Sequence, residues 1–319
     1  MDQDSQQFMA YLREGSPDGL QTIPKSDLHN HAGRGGSPCY ISAWAHADIA
    51  PPCAPFPSLV QMQEWFEQNV KIHCPGTAGY LKRIEAAFAQ AETDHIQLLA
   101  MSFGLGEIEV LGGMEPFIRT MDMLCATYAG HTTFLPELSL DRACGMELIY
   151  DTVKDALSYR WFASIDICGN ELAQPIQPFQ KIYRLAKDMG VKRKAHVGEF
   201  GTAEDVLEAC ETLELDEVHH GIAAAASEPV MHWLAEHKIQ LNICPTSNIM
   251  LGRVKGYKMH PIRVLYDHGV PVTINTDDLL IFNQSVSQEY LNLFTAGLMS
   301  AEELDHIRLT GLSQLQSAM

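Results

Sequence analysis

The chain has 319 residues, 46% of them hydrophobic, and a formal net charge of −18 at pH 7. This acidity argues against a nucleic-acid backbone or an anionic membrane surface as a partner, because both require cationic patches. The polar, acidic N-terminus lacks a signal peptide, no apolar run is long enough to span a bilayer, and the eight cysteines include no C-x-x-C pair, so we expect a cytoplasmic protein with reduced thiols.

The first part of the chain contains one predicted strand and a long insertion. A helix is predicted from Ser5 to Glu14, and the segment Lys25 to His31 is a strand that ends in the glycine-rich AGRGGSP. Residues 38–80 follow, with several prolines and the helical pattern LVQMQEWFEQNV. A lid over a site is one use for such an insertion. Trp65 and Phe66 would either line this lid or pack its helix against the rest of the protein.

Helices and strands alternate from residue 80 onward. Strands are predicted at 95–104, 132–140, 161–169, 191–199, 216–221, 239–247 and 270–278. Helices are predicted at 80–94, 115–130, 146–159, 176–190, 202–213, 227–238 and 260–269, and from about Ser287 to Ser317. This alternation predicts an α/β protein, and eight units favour a (β/α)8 TIM barrel forming a single domain over residues 1–319. An open, doubly wound sheet is the alternative, although no nucleotide-phosphate fingerprint supports it.

Polar groups end six of the eight predicted strands. In a (β/α)8 barrel the catalytic groups lie at the C-terminal strand ends. These ends are His29–His31, Asp166–Gly169, His196–Glu199, His219–Gly221, Cys244–Asn248 and Asn275–Asp278. A barrel without chemistry would have no reason to concentrate such residues on one rim, so the pattern predicts an active site there.

Histidines and an aspartate at these ends suit a metal ion. His29 and His31 are two residues apart on one strand and therefore face the same side. His-x-His alone is a weak indication, but His196 and Asp277 complete a set of three imidazoles and one carboxylate. Such a set suits catalytic Zn²⁺, and Fe²⁺ or Mn²⁺ would accept the same ligands. Bound zinc lowers the pKa of its water to about 7.

Together these motifs resemble those of the adenosine deaminase family of metal-dependent amidohydrolase barrels. The resemblance is carried by PKSDLHNH (24–31), HVGE (196–199), the His-Gly of VHHGI (218–222), CPTSN (244–248) and NTDD (275–278). It spans nearly the whole chain, and it implies a TIM barrel that deaminates a purine. The implied zinc ligands are His29, His31, His196 and Asp277.

The resemblance also implies roles for the other residues at the rim. Glu199 would protonate the purine nitrogen N1, and His220 would orient and deprotonate the attacking water. His219, beside it, is expected to face the other side of its strand. Asp278 would hydrogen-bond N7, and the backbone N–H of Gly169 would serve N3, with Asp166 in support. For Glu199 to act as an acid, burial should raise the pKa of its carboxyl.

One position departs from the family pattern. In adenosine-specific members the residue two past the second metal histidine is usually an acid that holds the ribose 5′-hydroxyl, but here it is Gly33. This carboxylate is therefore missing or supplied elsewhere. The adjacent Arg34 would either meet an anionic substituent or be a solvated loop cation, and the second interpretation is preferred. The expected substrate is thus a 6-aminopurine: adenosine, adenine, an N6-substituted adenine or a modified adenine nucleoside.

Two other functions remain open at this stage. One is a different mononuclear metal hydrolase of the same barrel class, acting on a non-purine amine or amide. Many two-metal relatives carry a bridging lysine or glutamate at the fourth strand, whereas this chain offers only Asp166 there, which favours one metal. The other is a purine-binding protein without activity. The H-x-E…P-C-x-x-C pattern of nucleic-acid deaminases is absent.

Overall fold

In the computed structural model, which describes residues 2–315, eight parallel strands follow one another in chain order around a barrel. Each strand pairs with the next one along the chain. The strands are β1 (Lys25–His31), β2 (Ile96–Gly104), β3 (Thr133–Asp141), β4 (Ser164–Cys168), β5 (Lys192–Val197), β6 (Glu217–His220), β7 (Gln240–Ile243) and β8 (Val272–Ile274).

Contacts between the first and last strands close the sheet. Asn30 and Asp277 form an isolated parallel bridge, and the Asp277 N–H donates to the His29 carbonyl at 2.9 Å. The Leu28 N–H donates to Oδ1 of Asn275 at 2.7 Å. The predicted (β/α)8 barrel is therefore confirmed, and the open sheet is excluded.

Helices cover the outside of the barrel and its two ends. They are α1 (Gln3–Glu14), α2 (Pro17–Gln21), α3 (Pro38–Ala45), α4 (Leu59–Asn69), α5 (Gly76–Thr93), α6 (Leu105–Val110), α7 (Met114–Tyr128), α8 (Met146–Ser158), α9 (Gln180–Asp188), α10 (Ala203–Leu213), α11 (Glu228–His237), α12 (Pro245–Met250), α13 (Ile262–Asp267), α14 (Leu279–Phe282), α15 (Val286–Thr295) and α16 (Ala301–Leu312). Within residues 2–315, none of them is long and apolar enough to cross a membrane.

The last two strands are shorter than predicted. The segment 239–247 was expected to be a strand throughout, but β7 ends at Ile243 and α12 begins at Pro245. Proline suits the first turn of a helix, because that position needs no N–H donor. The predicted C-terminal helical region divides into α15 and α16, and its expected end at Ser317 lies outside the described residues.

The interior of the barrel below the strand ends is polar. Lys194 Nζ lies 2.9 Å from Glu137 Oε2 and 3.5 Å from Glu217 Oε2, and all three side chains are buried. His219 joins them through Nε2, 3.0 Å from Glu137 Oε1. His219 therefore faces into the barrel, contrary to the expectation from sequence, while Val218 packs in the apolar layer under the helices.

The insertion after β1 is helical, as predicted. It comprises α3, α4, a 3₁₀ turn at Lys71–His73 and the start of α5. Its apolar side chains form a separate cluster with α14, and the Phe56 N–H donates to the Met250 carbonyl at 2.6 Å. The sequence left open whether Trp65 and Phe66 line the lid or pack its helix against the protein. Phe66 lines the cavity described below, whereas Trp65 packs against Phe56 with ring centroids 6.0 Å apart.

Candidate active site

Four predicted ligand residues meet at the ends of β1, β5 and β8. His29 Nε2 lies 3.0 Å from His196 Nε2, and His31 Nε2 lies 3.1 Å from Asp277 Oδ1. His29 Nε2 is 3.6 Å from the same carboxylate oxygen. Donor atoms about 2.0–2.2 Å from one zinc ion lie roughly 3.3 Å from one another in a tetrahedral site. The spacing and chemistry of this set therefore fit one divalent metal ion.

The second nitrogen of each histidine is held by a neighbour. His31 Nδ1 lies 2.8 Å from the Ser102 hydroxyl, and His29 Nδ1 lies 3.4 Å from the Asn242 carbonyl. His196 Nδ1 faces the two Asp166 carboxylate oxygens at 2.9 and 3.1 Å. Such contacts fix the ring orientation and leave each Nε2 for a metal. Asp166, predicted among the substrate-binding residues, is fully buried behind His196 and does not line the cavity.

The surroundings of Asp277 favour the ionised form of its carboxyl. Burial alone would raise the pKa of its carboxyl, but the hydrogen bond and charge of His31 lower it well below the ordinary value. The Ser247 hydroxyl donates to Oδ2 at 2.6 Å, while Oδ1 faces the histidine cluster. Asp277 adopts a left-handed backbone conformation with φ 58°, which is uncommon for a non-glycine residue. This turn places its two oxygens in different surroundings.

Glu199 has the properties of a proton donor. Its Oε1 is buried, has no hydrogen-bond partner among the described residues, and lies 3.6 Å from His220 Nε2. Burial, together with the negative charges of Asp277 and Glu171, raises the pKa of Glu199 well above that of an ordinary glutamate. This shift favours the protonated form of the carboxyl, which is the form that an acid at this position requires.

A residue that the sequence did not single out fixes the backbone that carries Glu199. The buried carboxylate of Glu171, in the loop after β4, accepts the backbone N–H groups of residues 198–201 at 2.6, 3.1, 2.7 and 3.1 Å. Gly198 is needed in this turn, since its φ is 74° and a Cβ there would lie 2.3 Å from Val206 Cγ2. No motif marks Glu171, because its partners are backbone groups of a distant segment.

A chain of hydrogen bonds assigns the tautomer of His220. The Ile262 N–H donates to His260 Nδ1 at 3.1 Å, so His260 carries its proton on Nε2 and donates to Asn248 Oδ1 at 3.3 Å. The Asn248 amide then donates to His220 Nδ1 at 3.1 Å. Neutral His220 must therefore carry its proton on Nε2, which faces Glu199 and Asp277 Oδ2, the latter at 3.8 Å.

A cavity of about 840 Å³ opens over these groups. Its lining includes the predicted substrate residues Gly33, Arg34, Gly169 and Asp278, together with the chemical groups Glu199, His220 and Asp277. Asp278 Oδ1 is buried and without a partner among the described residues. A buried acceptor without a partner at a cavity wall is suited to a donor on a ligand. His29 lies behind this surface and is not part of the lining.

Arg34 is not the solvated cation that was preferred from sequence. Its Nη1 lies 3.1 Å from Asp278 Oδ2, and its Nη2 donates to Gln63 Oε1 at 2.6 Å. The guanidinium also stacks on Phe66, with 4.7 Å between Cζ and the ring centroid, and only 24% of the side chain is exposed. Arg34 therefore links the end of β8 to the helix α4 of the insertion.

Comparison with known proteins gives these residues a family context. The family model for adenosine deaminase matches residues 142–314. A relative from Treponema pallidum, described as a putative adenosine/adenine deaminase, is 30% identical over 278 residues, or 87% of this chain and 93% of that protein. The chain belongs to the adenosine deaminase family.

Solved structures of other proteins show the same fold. A zinc-bound amidohydrolase from Burkholderia ambifaria superposes with a TM-score of 0.78 at 20% identity, covering 94% of this chain and 87% of that one. An Arabidopsis N6-mAMP deaminase superposes with a TM-score of 0.77 at 19% identity, covering 92% and 93%. Together with the cluster of histidines and Asp277, the family places a divalent metal at this site.

Proposed function

We propose that the protein is a zinc-dependent hydrolase that removes the 6-amino group of an aminopurine and releases ammonia. The observation that carries this proposal is the buried carboxyl of Glu199, whose Oε1 has no partner among the described residues and whose pKa is raised, beside His220 and the proposed metal ligands. Zinc would be held by His29, His31, His196 and Asp277, and Fe²⁺ or Mn²⁺ would fit the same donors. When bound, the ion would lower the pKa of a water molecule to about 7.

The side chains divide the proton transfers between them. Glu199 gives its proton to ring nitrogen N1, which makes the adjacent carbon C6 a better electrophile. His220 orients the attacking water through its Nε2–H group. Because this nitrogen already carries a proton, the deprotonation that the sequence assigned to His220 is instead proposed for ionised Asp277 Oδ2, which accepts a proton from that water. Asp278 would form a hydrogen bond with ring nitrogen N7, and the backbone N–H of Gly169 would donate to N3.

The same groups then release the product. Asp277 returns its proton to the amino group, the bond between C6 and nitrogen breaks, and ammonia leaves. The remaining hydroxyl proton passes to Glu199, which restores the acid and gives the C6 carbonyl. Water thus supplies one oxygen and two protons, and no other reactant is needed. Residues 38–80 act as a lid, because Gln63 and Phe66 from this insertion line the cavity.

Ammonia release from the metal-loaded protein tests this proposal. Adenosine, adenine and an N6-alkyladenine are compared with guanine, each with and without a chelator. We expect turnover of at least one aminopurine, abolished by the chelator, and a fall in kcat of about 10²–10⁴-fold in Glu199→Gln, because general acid catalysis is lost. The exposed Glu204→Gln on the following helix is the matched control. No ammonia from any aminopurine with the metal bound would refute the assignment.

A further inference from the structure

We infer that Asp27 is a positioning residue that sets the distance between the metal ligands of β1 and Asp277, and thereby the affinity of the site for its metal ion. Asp27 belongs to the motif PKSDLHNH, in which only the two histidines have an assigned role. It does not line the cavity over the site. The inference rests on the metal site of the proposed function and concerns the contacts behind it.

A bulge in β1 brings Asp27 and Asn30 to the same side of the sheet. Asp27 is opposite Leu99 on β2 and Asn30 is opposite Met101, so three steps along β1 match two steps along β2. One residue of β1 is therefore extra, as in a β-bulge. The Asn30 amide donates to Asp27 Oδ2 at 3.2 Å, and both side chains line a small cavity against α5. They thus face the helical layer outside the barrel.

The Asp27 carboxylate binds the residue that precedes Asp277. Its Oδ1 accepts the Thr276 N–H at 3.2 Å, and its Oδ2 accepts the Thr276 hydroxyl at 2.6 Å. The Asn30 amide also donates to the Thr276 hydroxyl oxygen, at 3.1 Å. The side chains of Asp27, Asn30 and Thr276 are all buried. The carboxylate therefore holds both the backbone and the side chain of Thr276.

These hydrogen bonds replace strand pairing where β8 ends. Ile274 is the last residue of β8 that pairs with β7. The Thr276 N–H instead points to β1, where the Asp27 carboxylate accepts it. The following N–H, that of Asp277, donates to the His29 carbonyl at 2.9 Å. Asp27 thus helps to close the barrel at the level of the metal ligands.

The position of Asp277 depends on this closure. Its φ of 58° is uncommon for a residue with a side chain, and such a conformation persists only where surrounding contacts enforce it. Thr276 directly precedes this turn, and Asp27 lies two residues before His29. The hydrogen bonds between Asp27 and Thr276 therefore fix Asp277 Oδ1 relative to His29 Nε2, which is 3.6 Å away. Loss of a residue that orients a metal ligand costs about 10–100-fold in metal affinity or activity.

The chain contains a matched pair of residues that is remote from the metal ligands. The buried Asp94 carboxylate likewise accepts both the N–H, at 3.1 Å, and the hydroxyl of one residue, Ser287. Asp94 Oδ1 lies 3.9 Å from Nζ of Lys25, the first residue of β1, whereas His29 and His31 are at the other end of that strand. Removal of the Ser287 hydroxyl should therefore affect stability without affecting the metal.

Zinc affinity tests the inference without relying on ammonia release. The zinc dissociation constant is measured by competition with a chromophoric chelator for wild type, Asp27→Asn, Thr276→Val, Thr276→Ser and Ser287→Ala. Co²⁺ replaces zinc in a parallel series, because its visible absorption reports the geometry of its ligands. Thermal unfolding of each metal-free protein measures the loss of stability that follows from removing a buried hydrogen bond.

Only the changes that break the contact between Asp27 and Thr276 should weaken metal binding. We expect the zinc dissociation constant to rise about 10–100-fold in Asp27→Asn, because an amide nitrogen replaces an acceptor oxygen. Thr276→Val keeps the shape of the side chain and removes one hydrogen bond, so a rise of about 3–10-fold is expected, with altered Co²⁺ bands.

The two remaining variants are the controls. Thr276→Ser keeps the hydroxyl and should bind zinc within about twofold of wild type, which is less than the loss of one hydrogen bond would cause. Ser287→Ala should lower the unfolding temperature as Thr276→Val does, yet leave the zinc dissociation constant and the Co²⁺ spectrum unchanged.

Failure of this inference is distinct from failure of the proposed function. Wild-type zinc affinity and Co²⁺ bands in both Asp27→Asn and Thr276→Val would overturn it and leave the deaminase assignment standing. An equal loss of affinity in Ser287→Ala would also overturn it, because the effect would then come from a general loosening of the fold. If Asp27→Asn does not fold, Thr276→Val and Thr276→Ser decide the question. A wild-type protein that binds no zinc would refute the proposed zinc site together with this inference.

Discussion

The two sides of the cavity are built in different ways. The strand-end side is formed by residues at the C-terminal ends of β1 and β4–β8. Buried partners hold its site residues in place: Glu171 binds the backbone of Glu199, and Asp166 binds the ring of His196. On the insertion side, formed by Gln63, Phe66, Tyr80, Arg83 and Glu107, the lining comes from α4, α5 and α6. This contrast suggests that the barrel carries the reaction and the helices select the substrate.

The largest effect among the predictions below is expected within the strand-end side. Asn248→Ala removes the donor that keeps His220 Nδ1 unprotonated, so the proton on Nε2 is no longer enforced. We expect kcat to fall about 10–100-fold, as for other partners behind a catalytic group, while KM and metal content change little. The histidine ¹⁵N chemical shifts should show Nε2–H in wild type and a mixture of tautomers in the variant.

The exposed Asn69→Asp is the control for this experiment, because Asn69 lies on α4 away from the histidines. If the ¹⁵N shifts change but kcat does not, His220 does not depend on its tautomer, and the proposed orientation of water through Nε2–H is wrong.

A smaller effect, on KM, is expected from Arg34, which contacts both sides of the cavity. Arg34→Met leaves the nearly buried Asp278 carboxylate without its cation and frees α4 from the end of β8. We expect KM for the aminopurine to rise about 10-fold, since a charged hydrogen bond is lost at a purine-binding residue, with a lesser change in kcat. Steady-state kinetics against the exposed Arg119→Met control measure this. A loss confined to kcat would place Arg34 in the chemistry rather than in binding.

The smallest expected effect is on the stability of the folded protein. It is measured for one carboxyl from each side of the cavity, Glu199 and Glu107. Burial raises the pKa of both Glu199 and Glu107, and more strongly that of Glu199. In the unfolded chain the pKa of glutamate is about 4.3. A carboxyl whose pKa is higher than this in the folded protein lowers the stability of the folded state as the pH rises above about 4.3. Glutamine removes this penalty, so each variant should unfold at a higher temperature than wild type at pH 8.

We expect a gain of about 1–3 kcal/mol for Glu199→Gln in the metal-free protein at pH 8, a smaller gain for Glu107→Gln, and none for either at pH 4. Thermal unfolding at the two pH values provides the measurement. A larger gain for Glu107→Gln would contradict the view that the strand-end side holds the more strongly perturbed acid.

The strand-end side was predictable from sequence because it follows the barrel rule. Polar residues placed directly after alternating strands predicted that the proposed metal ligands, Glu199, His220 and Asp278 would share one rim, and the structure brings them together there. The individual roles of His220 and Asp278 were implied by the family resemblance and stay predictions. The insertion side follows no such rule. Glu107 meets Gly33 only because two distant segments fold together, and the interpretation of Arg34 as a solvated cation failed because its partners lie on α4 and after β8.

The residues that hold the site in place, Glu171 and His260, could not be predicted from sequence for a related reason. Glu171 and His260 act on backbone groups and on a side-chain amide, so neither periodicity nor motif spacing marks them. The strand limits of β7 were wrong where Pro245 starts a helix. Sequence patterns thus placed the candidate site residues on one rim, while the contacts that hold those residues in place required the three-dimensional structure.

Titration of the metal-free protein with zinc tests the central claim most directly. Ammonia release from adenosine and adenine is measured against the number of ions bound per chain. The histidines and Asp277 form one candidate metal site, and Asp166 is hydrogen-bonded to His196. We therefore expect activity to rise linearly with added zinc and to reach its maximum at one ion per chain. Activity that appears only with a second ion, or no ammonia at full loading, would contradict a mononuclear aminopurine deaminase.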